Sequence, residues 1–149
     1  MSKITGSSTA EIEAPIDEVW AVVADVLSAP DWQGGLKDME ELERDGDGNV
    51  TLVESYNDAK VRTITSTVRF TYDGPTRLSW RQEKGDLKSV VGSWELEDLG
   101  DGRTKATYTI EGELGRMLGM VIRGPLVDVL RGQMAGARAG ELKQRVEGG

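Results

Sequence analysis

Apolar and polar residues alternate in "SSTAEIEAP", with Ala10, Ile12 and Ala14 on one side and Thr9, Glu11 and Glu13 on the other. Period two is the signature of a half-buried strand. Pro15 then suits the first turn of a helix, with Asp17 and Glu18 favourable at its positive end. Val19, Val22, Val23 and Val26, with Trp20, make a helical stripe to about residue 26. Ser28 can cap a second short helix or turn that starts with Pro30. Six segments rich in Val, Ile, Thr, Tyr and Trp follow. Turn signals separate them at Asp45–Asn49, Asn57–Lys60, Asp73-Gly74-Pro75, Lys84-Gly85-Asp86 and Gly100-Asp101-Gly102. Hairpin spacing of this kind predicts antiparallel strands in a row. Beyond Gly115 the composition is helical. Gly124-Pro125 should break or kink it, and a last helix should run from about Pro125 to Val146. The order is one strand, two short helices, six strands and a long C-terminal helix. The expected class is α+β, a curved antiparallel sheet with a helix in its concave side.

The strand parities also predict a lining. Gly92, Trp94 and Leu96 share a face, as do Ala106, Tyr108 and Ile110. Leu78, Trp80 and Gln82 share another, and Ile64, Ser66, Val68 and Phe70 a fourth. If these faces point inward, the lining is apolar with a few polar points: Tyr108, Gln82, Ser66, and Arg62 at a strand start. A mostly apolar pocket with sparse polar groups suits a small molecule. The same parity sends Arg69 and Arg81 outward.

Composition narrows the chemistry. A chain of 149 residues suits one domain with a real core. It has no Cys and no His, which removes disulfides, thiolate nucleophiles, His triads and the usual zinc and haem ligation. Asp45, Asp47 and Asn49 lack the remainder of a calcium loop and read as a hairpin turn. Gly85 to Gly92 is no phosphate loop. No metal or cofactor is expected. The net charge of −8 argues against nucleic acid as a partner. "MLGMVI" is far too short to span a bilayer, and "MSKITGSST" holds no apolar run of a secretory kind, so a cytoplasmic protein is expected. Charge is uneven. Residues 1–60 carry 14 acids against 4 bases, whereas residues 115–149 carry 3 acids against 6 bases. A basic helix across an acidic body accounts for this, and so does an anionic ligand or partner near that helix.

Order and spacing together resemble a known family. "PIDEVWAVVADVLSAPDWQGGLKDMEEL", with Pro15, Val19, Trp20, Asp25 and Trp32, resembles the opening of the polyketide cyclase/dehydrase and lipid-transport family of the START-like helix-grip superfamily (SRPBCC). "GSWELEDLGDGRTKATYTIEG" resembles its last hairpin through Gly92, Trp94, Gly102, Thr104 and Tyr108. "ELKQRVEG" resembles its closing helix end through Leu142, Lys143 and Glu147. The resemblance implies a single START-like domain over residues 1–149 and a deep apolar cavity between a seven-stranded sheet and the long helix. Trp20 then packs in the first helix's buried face. Trp32 sits near the cavity's end, as a core plug or a ligand wall. The implied function is binding of a hydrophobic small molecule of polyketide, lipid or isoprenoid-like type. Its expected ligand-binding residues are Trp32, Ser66, Trp80, Gln82, Trp94, Tyr108, Met117, Met120, Leu130 and Met134. The alternative is a polyketide aromatase/cyclase or dehydrase, for which Arg62 and Tyr108 are the candidates, as charge stabiliser and proton donor.

The C-terminal part leaves more open. Gly132, Gly136 and Gly140 recur every four residues, although each costs about 0.8–1 kcal/mol against Ala in a helix. Such a stripe allows close backbone approach or leaves room for a ligand. Arg131, Arg138 and Arg145 form a second stripe at sevenfold spacing, and sequence does not decide which arc meets the sheet. The segment 114–126, with flexible Met117 and Met120, is expected to form the pocket mouth facing Pro30–Gly35, and to act as a lid.

Overall fold

A computed structural model describes residues 3–59 and 62–148. The first strand, β1 (Lys3–Ile12), starts earlier than the pattern suggests and leads into helix α1 (Ile16–Ala24). A 3₁₀ turn follows at Val26–Asp31. Ser28 lies inside that turn, its hydroxyl donating to the Asp25 carbonyl, and Pro30 also lies within it, so neither starts the element. Then come β2 (Leu36–Arg44), β3 (Val50–Asp58), β4 (Thr63–Asp73), β5 (Arg77–Gly85), β6 (Ser89–Gly100) and β7 (Arg103–Glu113). Lys60, the last residue of the turn expected at Asn57–Lys60, lies outside the described residues. Helix α2 (Gly115–Val121) ends before Gly124, whose φ of +64° is open to glycine. Pro125 then starts α3 (Pro125–Arg131), a π turn covers Gly132–Gly136, and α4 (Arg138–Gly148) completes the long helix.

All neighbouring strands are antiparallel, in the order β1-β7-β6-β5-β4-β3-β2. The expected helix-grip class is therefore observed. The register lines up two inward rows. Phe70 pairs with Trp80, Trp80 with Gly92, and Gly92 with Ile110. One step along, Tyr72 pairs with Leu78, Leu78 with Trp94, and Trp94 with Tyr108. Large side chains facing one another across strands stabilise the sheet and build one wall of the interior. Gly92 matters because it has no side chain. A Cβ there would lie 2.6 Å from Trp80 Cε2, so the indole occupies the space over its backbone.

Two apolar clusters fill the concave side. One gathers Val19, Val23, Phe70, Leu78, Trp94, Tyr108 and Leu142. The other gathers Ile4, Ile64, Leu87, Leu118, Ile122 and Leu130. Trp20 packs against the first cluster, over Gly74. Outside the sheet, Arg69 pairs with Glu83 and Glu43, and Arg81 is exposed, as parity requires.

The glycines of the long helix serve neither expected purpose. Nothing lies within 4 Å of a Cβ built on Gly132, Gly136 or Gly140, and all three face solvent. Two substitutions separate these environments. Gly92→Ala is expected to displace Trp80 and lower stability by about 1–3 kcal/mol. Gly140→Ala is expected to raise it by about 0.5–1 kcal/mol. Urea denaturation of both variants checks the pair, and the opposite order would contradict the packing described.

Candidate functional site

Between the sheet and the long helix lies a cavity of about 160 Å³. Its apolar wall includes Val26, Phe70, Trp80, Trp94, Ile110 and Leu130. The aromatic rings run as a chain along it. The Trp32 and Trp94 centroids are 6.3 Å apart, Trp94 and Tyr108 4.8 Å, Tyr108 and Trp80 5.5 Å, and Trp80 and Phe70 6.0 Å. Of the residues expected to bind a ligand, Trp32, Ser66, Trp80, Trp94, Tyr108, Leu130 and Met134 line this space. Gln82 stands behind Ser66, which donates to its Oε1 at 2.8 Å.

Met117 and Met120 do not line it. They are 80% and 66% exposed, on the outer side of α2, while Leu118 and Ile122 of the same segment are buried. The 3.6-residue period explains the split, since a one-sided helix must turn part of an all-apolar run outward. The rest of the segment 114–126 contributes Leu114 and Ile122 to the cavity that Trp32, Gly34 and Gly35 also line. The direct contacts of Gly34–Gly35 are with the long helix, through Gln133, Arg138 and Glu141.

Arg62 is also placed differently from its expected inner position. It precedes β4, is exposed, and sits 3.6 Å from Asp86. Its carbonyl accepts from the Ala59 N–H, so it belongs to the turn, where strand alternation no longer applies. The arginine in the cavity wall is Arg138, only 4% exposed. Its place follows from the π turn just before it. A wide turn takes up one extra residue, so everything after it is rotated by about 100° relative to an unbroken α-helix. Arg131, which precedes that turn, consequently diverges from it. Arg131 Nε donates to the Thr5 carbonyl at the sheet edge, and Arg145 faces solvent.

Arg138 is held by a closed ring of contacts at Gly34. Its Nη1 donates to the Gly34 carbonyl at 3.0 Å and to Glu141 Oε1 at 2.8 Å. The other carboxylate oxygen, Oε2, accepts from the Gly34 N–H at 2.9 Å. Side chains cannot intrude on this ring. A Cβ on Gly34 would come within 2.9 Å of Glu141 Oε2, and one on Gly35 (φ +82°) within 2.3 Å of Gln133 Nε2. Gln133 Nε2 in turn donates to the Asp58 carbonyl. The guanidinium carbon stands 5.8 Å from the centroid of Tyr108, a cation–π distance.

The polar groups of the cavity differ in state. On the sheet they satisfy one another. Ser55 Oγ donates to the Ser66 carbonyl, Ser66 to Gln82, and Gln82 Nε2 to the Leu87 carbonyl. At the other end, Trp32 Nε1 and Arg138 Nε are buried without a hydrogen-bond partner. An unmet buried donor costs about 1–3 kcal/mol and calls for an explanation. Inspection of β3 alternation would have found Ser55 and Asn57, which also line the cavity. The sevenfold stripe contains Arg138 but does not distinguish it from Arg131 and Arg145.

Residues 3–147 match the family described as polyketide cyclase / dehydrase and lipid transport. The chain belongs to that family. No curated protein matches it in sequence. Among solved structures, a START superfamily protein from Mycobacterium smegmatis is 21% identical, with a TM-score of 0.81 over 96% of this chain and 97% of that one. The Zhui aromatase/cyclase from Streptomyces sp. R1128 is 21% identical, with a TM-score of 0.80 over 98% of this chain and 94% of that one. TTHA0849 from Thermus thermophilus is 17% identical, with a TM-score of 0.78 over 97% of each chain. At these identities the likeness is one of fold. Within the family fold, this cyclase/dehydrase and lipid-transport family member carries its buried arginine on the long helix.

Burial pushes the Tyr108 phenol above its ordinary 10.0, and the neighbouring Arg138 charge and hydrogen bonding oppose the shift. Tyr72 is pushed to about 12 by burial, and Tyr56 to about 12 by its hydrogen bond to Glu54. Each folded phenol keeps a proton that the unfolded chain releases near pH 10. Their stabilising contribution is therefore complete below that pH and is lost as pH rises through the folded values. Tyrosinate absorbance should thus rise together with unfolding, above about pH 10. A phenol ionising near pH 10 in still-folded protein would contradict these environments.

Proposed function

We propose that this protein binds a small hydrophobic molecule in the cavity between sheet and long helix. The observation that carries the reading is the cavity itself, walled mainly by aromatic and aliphatic side chains with a few polar groups among them. Its volume of about 160 Å³ matches cavities that hold a single benzene-sized ring. Close packing elsewhere makes an empty space of this size costly, because its lining loses dispersion contacts. A ring compound restores those contacts and leaves water, and binding of this kind draws on no metal or nucleotide. Polyketide, lipid and isoprenoid-like compounds supply such apolar groups. A cytoplasmic location fits this reading.

The second reading is a cyclase or dehydrase acting in the same cavity. Arg138 beside Tyr108 favours it, since a fixed cation can stabilise an enolate oxygen and a protonated phenol can donate to it. Binding leads because it asks only for the apolar walls, whereas the chemistry also asks that Arg138 and Tyr108 reach a reacting oxygen. Of the earlier candidates, Tyr108 retains a place in that chemistry and Arg62 does not.

Ligand-linked stability tests the leading reading. Ethylbenzene at about a hundred times its Kd should stabilise the fold by about 2.7 kcal/mol and raise Tm by about 5–10 °C. Val68→Phe, which fills the cavity from β4, should abolish the shift while the fold persists. Native mass spectrometry of protein from its own host should show an apolar adduct. No shift with any one-ring hydrocarbon, and no adduct, would reject binding.

A further inference from the structure

Resting on the binding reading above, we infer that the cavity selects a neutral carbonyl compound, oriented with its oxygen toward Trp32 and Arg138 and its ring along the aromatic wall. The sheet end offers a ligand little polarity. Ser55, Ser66 and Gln82 are engaged with one another and with main-chain carbonyls. The helix end is the reverse. Trp32 Nε1 and Arg138 Nε have hydrogens and no acceptor, and both are buried. Trp32 is donor only, and so is Arg138. What these two donors lack is therefore an acceptor, and a carbonyl oxygen supplies two lone pairs without bringing a hydrogen that needs a partner of its own.

Charge decides between the acceptors. Arg138 would ordinarily select a carboxylate. Here its charge is already matched by Glu141, whose two oxygens are taken by Arg138 and by the Gly34 N–H. The Arg138–Glu141 pair is neutral as a unit. A carboxylate ligand would leave an uncompensated negative charge in an enclosed space beside the Glu141 carboxylate, which is strongly disfavoured. A ketone, aldehyde or ester oxygen accepts the same hydrogens without adding charge. The aromatic neighbours complete the selection. The chain from Trp32 through Trp94 and Tyr108 to Trp80 offers ring faces to a flat substituent attached to that carbonyl.

Three one-ring probes of nearly equal shape isolate these contributions: acetophenone, cumene and benzoate. Their branches differ in being a ketone, a hydrocarbon and a carboxylate. Binding is read by NMR titration of the whole chain. Acetophenone should bind at least about tenfold tighter than benzoate, the scale of one buried hydrogen bond plus the excluded charge. Trp32→Phe keeps an aromatic face and removes the N–H together with part of the indole surface, so the N–H is read as the loss of acetophenone beyond that of cumene. The substitution should weaken acetophenone by about threefold to tenfold and leave cumene within about twofold. Arg138→Met should do the same, and the Trp32→Phe result stands if that variant fails to fold. Glu141→Gln removes the compensating charge and should narrow the preference for acetophenone over benzoate.

Other results are equally decisive. Tightest binding by benzoate in the wild-type chain would overturn the neutral-carbonyl inference while leaving hydrophobic binding intact. Equal loss of acetophenone and cumene in Trp32→Phe would show a purely steric wall and overturn it as well. Failure of all three probes, cumene included, would remove the binding reading and this inference together.

Discussion

The ring of hydrogen bonds at Gly34 is the constraint on which the rest of the structure turns. A two-carboxylate-oxygen, one-guanidinium contact closes on both the N–H and the C=O of a single residue. It ties the start of β2 to the long helix across the mouth of the sheet. Both partners come from residues 138 and 141 on one helix turn, so the helix is fixed in rotation as well as in position. With Arg138 only 4% exposed, the charge cannot be left unpaired without a large cost. The Gly34–Gly35 pair is what lets backbone and helix come that close.

Fixing the helix there leaves a gap elsewhere. The sheet contributes large aromatic residues in two cross-strand rows, and the first helix and 3₁₀ turn cover one end of them. The second cluster closes the other end through Leu118, Ile122 and Leu130. Between the clusters the walls do not meet, and a cavity of about 160 Å³ remains. Its polarity is one-sided because the sheet's hydroxyls and amide are paired locally, whereas the helix side has donors without acceptors. One contact thus sets both the space available to a ligand and the chemistry it meets.

How much of this the sequence disclosed follows from which periods are regular. Strand alternation is rigid, so the inward faces through Phe70, Trp80, Trp94 and Tyr108 were legible from the chain alone, and so were the outward Arg69 and Arg81. Alternation fails where a strand ends, and Arg62 was misplaced for that reason. The helical period assumes an unbroken α-helix. A π turn at Gly132–Gly136 breaks that assumption between Arg131 and Arg138, while Arg145, two turns further along the same helix as Arg138, faces solvent, so the sevenfold stripe groups three residues in three environments. Met117 and Met120 misled because an apolar residue type carries no information on which way a short helix faces. The role of Gly34 and Gly35 in admitting Gln133 and Glu141 depends on a helix about a hundred residues away, which no local pattern marks.

A double-mutant cycle on folding stability, using Arg138→Met and Glu141→Gln, tests the Gly34 ring most directly. If the two side chains act as one unit, each single change is destabilising and the double change costs well under the sum. The coupling should then be about 1.5–3 kcal/mol. Additive losses, with coupling within about 0.5 kcal/mol of zero, would mean that the helix is held by apolar packing alone and that Arg138 does not organise the cavity.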